Sequence, residues 1–203
     1  MSKLKKEVLR IKNVHNTYVT IGASNHAADE RQKEDYYATD PKAIPLLLEQ
    51  EAFTKDILEP ACGQGHISKA LIAAGYNVTS TDLIDRGYGT KKDFFTYTNW
   101  DADIITNPPY KIALPFLKHS LEIIKPGNKI ALFLRLLFLE GKERGLYFKD
   151  HPPKNIYVCS GRLKCFKNGD FNNYKASSSA IAYAWFVWEK GYKGQTIVKW
   201  INL

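Results

Sequence analysis

Asn107, Pro108, Pro109 and Tyr110 stand in a row directly after the apolar residues 102–106, Ala-Asp-Ile-Ile-Thr. Two consecutive prolines lack backbone N–H groups and have fixed φ, so they end a strand and stiffen the turn after it. The amide of Asn107 then sits at a strand end beside carbonyls that no neighbouring N–H easily claims, and an aromatic ring comes next. Acceptors beside a flat apolar face suit a planar substrate that bears an amino group. Taken alone, the four residues also read as a loop starter, because Asn-Pro and Pro-Pro mark turns in many settings.

A second group lies upstream. Glu59-Pro60-Ala61-Cys62-Gly63-Gln64-Gly65 falls between a short strand, 56–59, and a helical recurrence of Ile67, Ala70, Leu71 and Ala74 that Gly75 ends. Glycines there let the backbone turn tightly and approach a ligand closely. The pattern is shorter than the dinucleotide fingerprint and lacks the Lys-Ser/Thr pair of a phosphate loop. An acid, Asp82, closes the next strand, 77–81, at the place where open α/β sheets grip a ribose diol. Its other reading is a cap for the turn before Ile84.

These residues need a scaffold, and the rest of the chain supplies its outline. Ala43, Ile44, Leu46, Leu47 and Leu48 predict a helix with Pro41 at its start, and Pro45 is tolerable only within the first turn. Strands are expected at 102–106 and 128–134, with a helix at 116–124 between them. A further strand at 156–159 and a buried aromatic strand at 180–188 complete the pattern. Such alternation argues for an α/β fold with a parallel sheet and helices on both faces. Right-handed crossovers then place the strand C-termini on one edge, where ligands of open sheets bind. The sequence shows no internal repeat and no linker.

The 203 residues carry 29 Lys and Arg against 21 Asp and Glu, a net charge of +8 that favours a polyanionic partner. The excess is concentrated between residues 142 and 175, where Lys142, Arg144, Lys149, Lys154, Arg162, Lys164, Lys167 and Lys175 face Glu143, Asp150 and Asp170. Residues 1–35 read as a basic tail, partly frayed and solvated. Cys62, Cys159 and Cys165 have neither metal-ligand spacing nor an even disulfide framework, which implies a reducing, cytoplasmic setting and no metal site. The N-terminus has no signal-peptide core, and the apolar stretch 130–139 is broken by Arg135 and too short for a bilayer.

In combination, Glu-Pro-Ala-Cys-Gly-x-Gly, Asp82, Asp93-Phe94 and Asn-Pro-Pro-Tyr resemble the S-adenosylmethionine-dependent amino-methyltransferases. Within them the chain is most similar to small phage and prophage DNA adenine-N6 methyltransferases, in segments such as 80–89 and 182–191. The resemblance implies a Rossmann-like class I methyltransferase fold, with a mostly parallel seven-stranded sheet, over one domain spanning 36–203. It places Glu59, Ala61, Gly63 and Gly65 around the methionine part of S-adenosyl-L-methionine, Asp82 on the ribose, and Asp93 with Phe94 on the adenine ring. Tyr37 and Thr39 fall in the segment that closes over the cofactor, although packing and capping would also explain them.

On the substrate side, Asn107 and the Pro108 carbonyl would accept the two N–H bonds of the amine, with Pro109 stiffening the turn and Tyr110 stacking on a base flipped from the duplex. Phe166 is a candidate for a second aromatic wall, or a core residue. Arg162, Lys164 and Lys167 would form a phosphate-contacting rim. Arg135, embedded in an apolar run, must find acceptors or lie at the open sheet edge, and is placed near the site.

DNA is the expected partner. An RNA base or a protein glutamine amide poses the same lone-pair problem, but the glutamine enzymes carry a separate recognition domain that residues 1–35 cannot supply. A non-catalytic nucleic-acid-binding module would not need Asn107, Asp82 and both glycines together. Little sequence is left for target recognition, which predicts short or relaxed specificity, or recognition completed by a partner subunit or a homodimer.

Overall fold

The computed structural model describes residues 37–161, 163, 165–167 and 181–202. The tail 1–35, Tyr36, Arg162, Lys164 and Lys175 lie outside the described residues.

The central strands read as apolar runs because the middle of the sheet they form is covered on both faces. In β6 (Lys129–Arg135), Ile130, Leu132 and Leu134 pack into one core, and Ala131 and Phe133 into the other. β9 (Tyr183–Glu189) divides in the same way, with Ala184, Phe186 and Trp188 opposite Tyr183, Trp185 and Val187. Alternate side chains of a strand point to opposite faces, so every second residue serves a different helix layer. The first core takes Phe116 and Leu117 of α3 (Ala113–Ile123). The second takes Ile44 and Leu47 of α1 (Ala43–Leu48) with Ile67 and Leu71 of α2 (His66–Ala73). The Trp185 indole N–H also donates to the Ala43 carbonyl at 2.8 Å, tying α1 to the middle of the sheet.

The remaining strands are β2 (Asp56–Glu59), β3 (Asn77–Asp82), β4 (Thr90–Lys91), β5 (Asp103–Thr106), β7 (Asn155–Cys159) and β10 (Ile197–Ile201), in the spatial order β10-β7-β9-β6-β5-β2-β3-β4. All pair in parallel except β9, which runs antiparallel to both β6 and β7. The sheet therefore has eight strands where seven are expected, with the two-residue β4 at one edge and β10 at the other. A separate antiparallel ribbon joins β1 (Tyr37–Thr39) to β8 (Cys165–Lys167). The helix α4 (Lys142–Asp150) has no fully buried residue, which is why no apolar periodicity announces it. Among the described residues no helix is long and apolar enough to cross a membrane.

Helix α3 begins three residues before the expected position. Pro115 sits in its first turn, where a missing donor costs nothing, just as Pro45 sits in the first turn of α1.

Two carboxylates mark the two ends of the parallel strands. At the N-terminal edge, buried Glu51 accepts from Lys129 Nζ (2.6 Å), Asn155 Nδ2 (2.5 Å) and Tyr157 Oη (2.7 Å). Burial alone would raise its pKa, but these hydrogen bonds and the Lys129 charge hold it below the ordinary value. Asp103 beside it accepts from the N–H groups of Thr54 and Lys129, both at 2.7 Å. At the C-terminal edge Glu59 is 1% exposed and accepts from the Ser68 hydroxyl, which in turn meets the Ser80 hydroxyl at 2.5 Å. Desolvation pushes the Glu59 carboxyl from 4.5 up to about 8, the Ser68 bonds oppose this, and the neighbouring Asp82 charge adds to it.

Between these two values the folded chain holds a proton on Glu59 that the unfolded chain releases, so this group's share of stability is full below pH 4.5 and lost as pH rises toward about 8. Thermal unfolding followed by circular dichroism should show the melting temperature of the wild type falling by several degrees over that range. Glu59→Gln, neutral at every pH, should flatten this slope.

Candidate functional site

The segment between β2 and α2 turns through Gly63 (φ +54°) and Gly65 (φ +78°), both in the left-handed region that glycine enters without strain. Gly65 is required twice over, because a Cβ there would lie 2.3 Å from the Tyr88 ring. Asp82, at the end of β3, reaches back to this turn. Its Oδ2 accepts from the Gly63 N–H at 2.8 Å and its Oδ1 from the Ile84 N–H at 2.9 Å. The turn-capping role is thus present, and the carboxylate keeps acceptor capacity beyond these two bonds. Ala61 packs against the core beneath the turn. Cys62 is buried, and desolvation, then the Glu59 and Asp82 charges, push its thiol up to about 12. That rules out a thiolate nucleophile at neutral pH.

Asn107 comes directly after the last residue of β5, at the same edge of the sheet. Its amide nitrogen donates to the Tyr37 carbonyl at 3.1 Å and to Thr39 Oγ1 at 2.9 Å. Cys165 Sγ is 3.9 Å away. A carbonyl only accepts, so the Tyr37 oxygen fixes which end of the amide faces it. The other end, Oδ1, is buried with no hydrogen-bond partner. Pro108 is buried, and Pro109 starts a single 3₁₀ turn, Tyr110–Ile112.

Tyr110 donates its hydroxyl to Cys165 Sγ at 3.6 Å, and its ring lies 5.9 Å from that of Tyr37 and 6.2 Å from that of Tyr183. Burial, reinforced by Cys165 and Tyr183, pushes this phenol well above its ordinary range, so it stays protonated. Burial also raises the Cys165 thiol to about 11, although the two tyrosine hydroxyls and Arg135 oppose it. The Arg135 guanidinium lies over the Tyr110 ring at 4.6 Å from its centroid, and at 6.0 Å from that of Tyr37. Its Nε is buried and unpartnered.

The structure therefore brings Tyr37, Thr39, Asn107, Pro108, Pro109, Tyr110 and Arg135 to one place, and Glu59, Ala61, Gly63, Gly65 and Asp82 to the adjoining turn. Other expected site residues are placed differently. Phe94 is 3% exposed, its ring stacked on Phe116 at 4.1 Å and set edge-on to His119 at 4.9 Å. Its ring is packed as a core residue. Asp93 caps the following 3₁₀ turn by accepting from the Phe95 N–H at 2.9 Å. Phe166 is 4% exposed and pairs with Ala38 across the ribbon, the core alternative of the two readings. Lys167 contributes backbone to β8 opposite Tyr37, and its side chain, like Arg162 and Lys164, lies outside the described residues. Among the described residues no three His, Cys, Asp or Glu are grouped to hold a metal ion.

Sequence reasoning missed Cys165, Tyr183 and Ser68. The aromatic run 183–188 signals a strand but not that its first ring reaches Tyr110, and a lone Cys carries no spacing to interpret. One structural signal does stand out. Of the six buried side-chain polar atoms without a partner among the described residues, four belong to Thr81, Thr106, Asn107 and Arg135. These lie at the C-terminal ends of β3, β5 and β6.

No protein-family model and no curated protein matches this chain. Solved structures do. The type IIG restriction endonuclease BpuSI superimposes with a TM-score of 0.55 at 14% identity, over 83% of this chain and 27% of its own. A protein from Listeria monocytogenes assigned as a class I S-adenosylmethionine-dependent methyltransferase gives 0.52 at 13% identity, over 80% and 64%. A protein from Vibrio vulnificus assigned as the modification subunit of a type I restriction enzyme gives 0.51 at 12% identity, over 94% and 51%. The chain thus spans from about a quarter to under two thirds of the length of these three proteins. Strand order, the single antiparallel strand and these superpositions agree that the chain has the Rossmann-like fold of class I S-adenosylmethionine-dependent methyltransferases.

Proposed function

We propose that this chain is an S-adenosylmethionine-dependent methyltransferase acting on the exocyclic N6 amine of adenine in DNA. The observation that carries the reading is the orphaned Oδ1 of Asn107. A buried acceptor without a partner costs roughly 1–3 kcal/mol, and such a cost persists where a ligand donor completes it. The Nε of Arg135, a donor left equally unpaired, lies at the end of the neighbouring strand. An acceptor and a donor at the ends of adjacent strands match the amino group and ring nitrogen of a base edge in kind.

The residues present fit the cofactor. Gly63 and Gly65 hold a backbone cradle open, Asp82 offers further lone pairs for ribose hydroxyls, and the Tyr37–Asp40 segment flanks Asn107. When bound, S-adenosylmethionine supplies an electrophilic methyl group. The chain's own task is to make a poor nucleophile react. An adenine amine delocalises its lone pair into the ring. With both N–H bonds drawn to the Asn107 Oδ1 and the Pro108 carbonyl, the nitrogen is pulled out of conjugation. The same oxygens stabilise positive charge as it develops there. No thiolate or phenolate is needed, in keeping with the raised pKa values of Cys62, Cys165 and Tyr110. The Arg135–Tyr110 stack offers a flat, partly cationic wall to an unstacked base.

DNA as substrate is supported by the net charge of +8 and by the restriction–modification origin of two of the matched structures. A partner subunit for target recognition fits the same origin.

Adenine methylation of defined duplexes, read by mass spectrometry, tests the reading directly. Asn107→Ala should lower transfer by about a hundredfold or more while cofactor binding by calorimetry stays within a few fold. Equal transfer by both proteins would sink the mechanism, and transfer to RNA or protein but not DNA would reassign the substrate. Asp82→Ala removes the bond to Gly63 that shapes the glycine turn and the cap on Ile84 after β3, and should weaken cofactor binding about ten- to hundredfold in the same titration.

A further inference from the structure

The two ends of the Asn107–Tyr110 tetrapeptide are gripped by facing residues of a ribbon outside the main sheet. Thr39 and Cys165 are direct partners across the β1–β8 pairing. From one strand, Thr39 Oγ1 accepts an N–H of the Asn107 amide at 2.9 Å, while the Tyr37 carbonyl takes the other at 3.1 Å. From the facing strand, Cys165 Sγ accepts the Tyr110 hydroxyl at 3.6 Å and lies 3.9 Å from the same amide nitrogen. Thr39 is 3% exposed, so its hydroxyl is shielded from water that could replace it.

The consequence is geometric. An amide has two hydrogens, and here both are used within the protein. A turn of the amide through half a circle would set Oδ1 against the Tyr37 carbonyl, two acceptors facing each other, and would offer N–H to an incoming N–H. The carbonyl therefore sets the polarity, and the threonine hydroxyl removes the remaining freedom. Loss of the hydroxyl would leave that amide N–H only the weak acceptor Cys165 Sγ at 3.9 Å, and favour rotation of the amide away from its working position.

We propose that Thr39 and Cys165 are positioning residues: Thr39 locks the Asn107 amide with its Oδ1 toward the substrate, and Cys165 anchors the Tyr110 phenol. This rests on the reading of Asn107 as the acceptor of the substrate amine. It assigns Thr39 to the amide rather than to the cofactor, so the two roles separate in kinetics. A positioning residue moves kcat, whereas a cofactor contact moves the cofactor's affinity.

The experiment compares wild type, Thr39→Val, Thr39→Ser and Cys165→Ala for kcat on duplex DNA, for cofactor dissociation constant by calorimetry, and for melting temperature. Thr39→Val and Cys165→Ala should each lower kcat about ten- to hundredfold with cofactor affinity unchanged within about twofold, and Thr39→Ser should recover to within about threefold of wild type. Cys165→Ala carries the test alone should Thr39→Val not fold. The inference is overturned by a folded Thr39→Val or Cys165→Ala with wild-type kcat, by a loss confined to cofactor affinity, or by Thr39→Ser behaving like Thr39→Val. Wild type that labels DNA alongside indifferent variants refutes the positioning role alone. Wild type that binds the cofactor yet transfers label to no amine refutes the functional reading and this one with it.

Discussion

A backbone carbonyl can only accept a hydrogen bond, and the carbonyl of Tyr37 thereby decides what the chemistry-bearing end of β5 presents. With the Asn107 amide nitrogen committed to it, the amide oxygen is turned away from that carbonyl, buried and unmatched. The two prolines after it make this arrangement cheap. They have no N–H of their own to offer that oxygen, so nothing local competes with an outside donor. The tetrapeptide is thus half of a device whose other half is a strand some seventy residues earlier in the chain.

That strand is held in place by a sheet with very different conditions at its two edges. At the N-terminal edge the two buried carboxylates are closed by partners. Lys129 reaches Glu51, Asn155 and Tyr157 complete that carboxylate, and Asp103 takes two backbone N–H groups. Satisfied networks of this kind rigidify. At the C-terminal edge the count is reversed, with Thr81, Thr106, Asn107 and Arg135 each keeping an unpaired buried atom. Four of the six unpartnered buried polar atoms among the described residues thus gather at this edge, against Asn128 Nδ2 and Trp100 Nε1, which precede β6 and β5 at the other.

Much of this was legible in the sequence, and for identifiable reasons. The central strands were readable because burial on both faces makes them short apolar runs. Gly63, Gly65 and Asp82 were readable because a left-handed turn and an acid one strand later leave a spacing. Turn chemistry at Pro115 hid the first turn of α3, since a proline reads as a breaker unless its register is known. The β1–β8 ribbon left no trace at all. It pairs residues 37–39 with 165–167, and no local periodicity encodes a contact over that distance. The packing of Phe94 is illegible for a similar reason: the dipeptide Asp93-Phe94 marks a turn after β4, but only the contacts with Phe116 and His119 show that the ring is core.

The ribbon also changes how the three cysteines are to be understood. Their spacing offers no metal-ligand or disulfide pattern, and burial raises all three thiols' pKa values, which disfavours a nucleophilic thiolate. What remains for Cys165 is the property a thiol shares with no other small side chain: a large, polarisable, weakly accepting atom that tolerates burial. At 3.6 Å from a phenol and 3.9 Å from an amide it fills the space between two hydrogen-bonding groups without demanding a partner of its own. A serine oxygen there would be smaller and would compete for the same donors. Between the Asn107 amide and the Tyr110 phenol, a soft spacer of this size holds two side chains apart at a fixed distance.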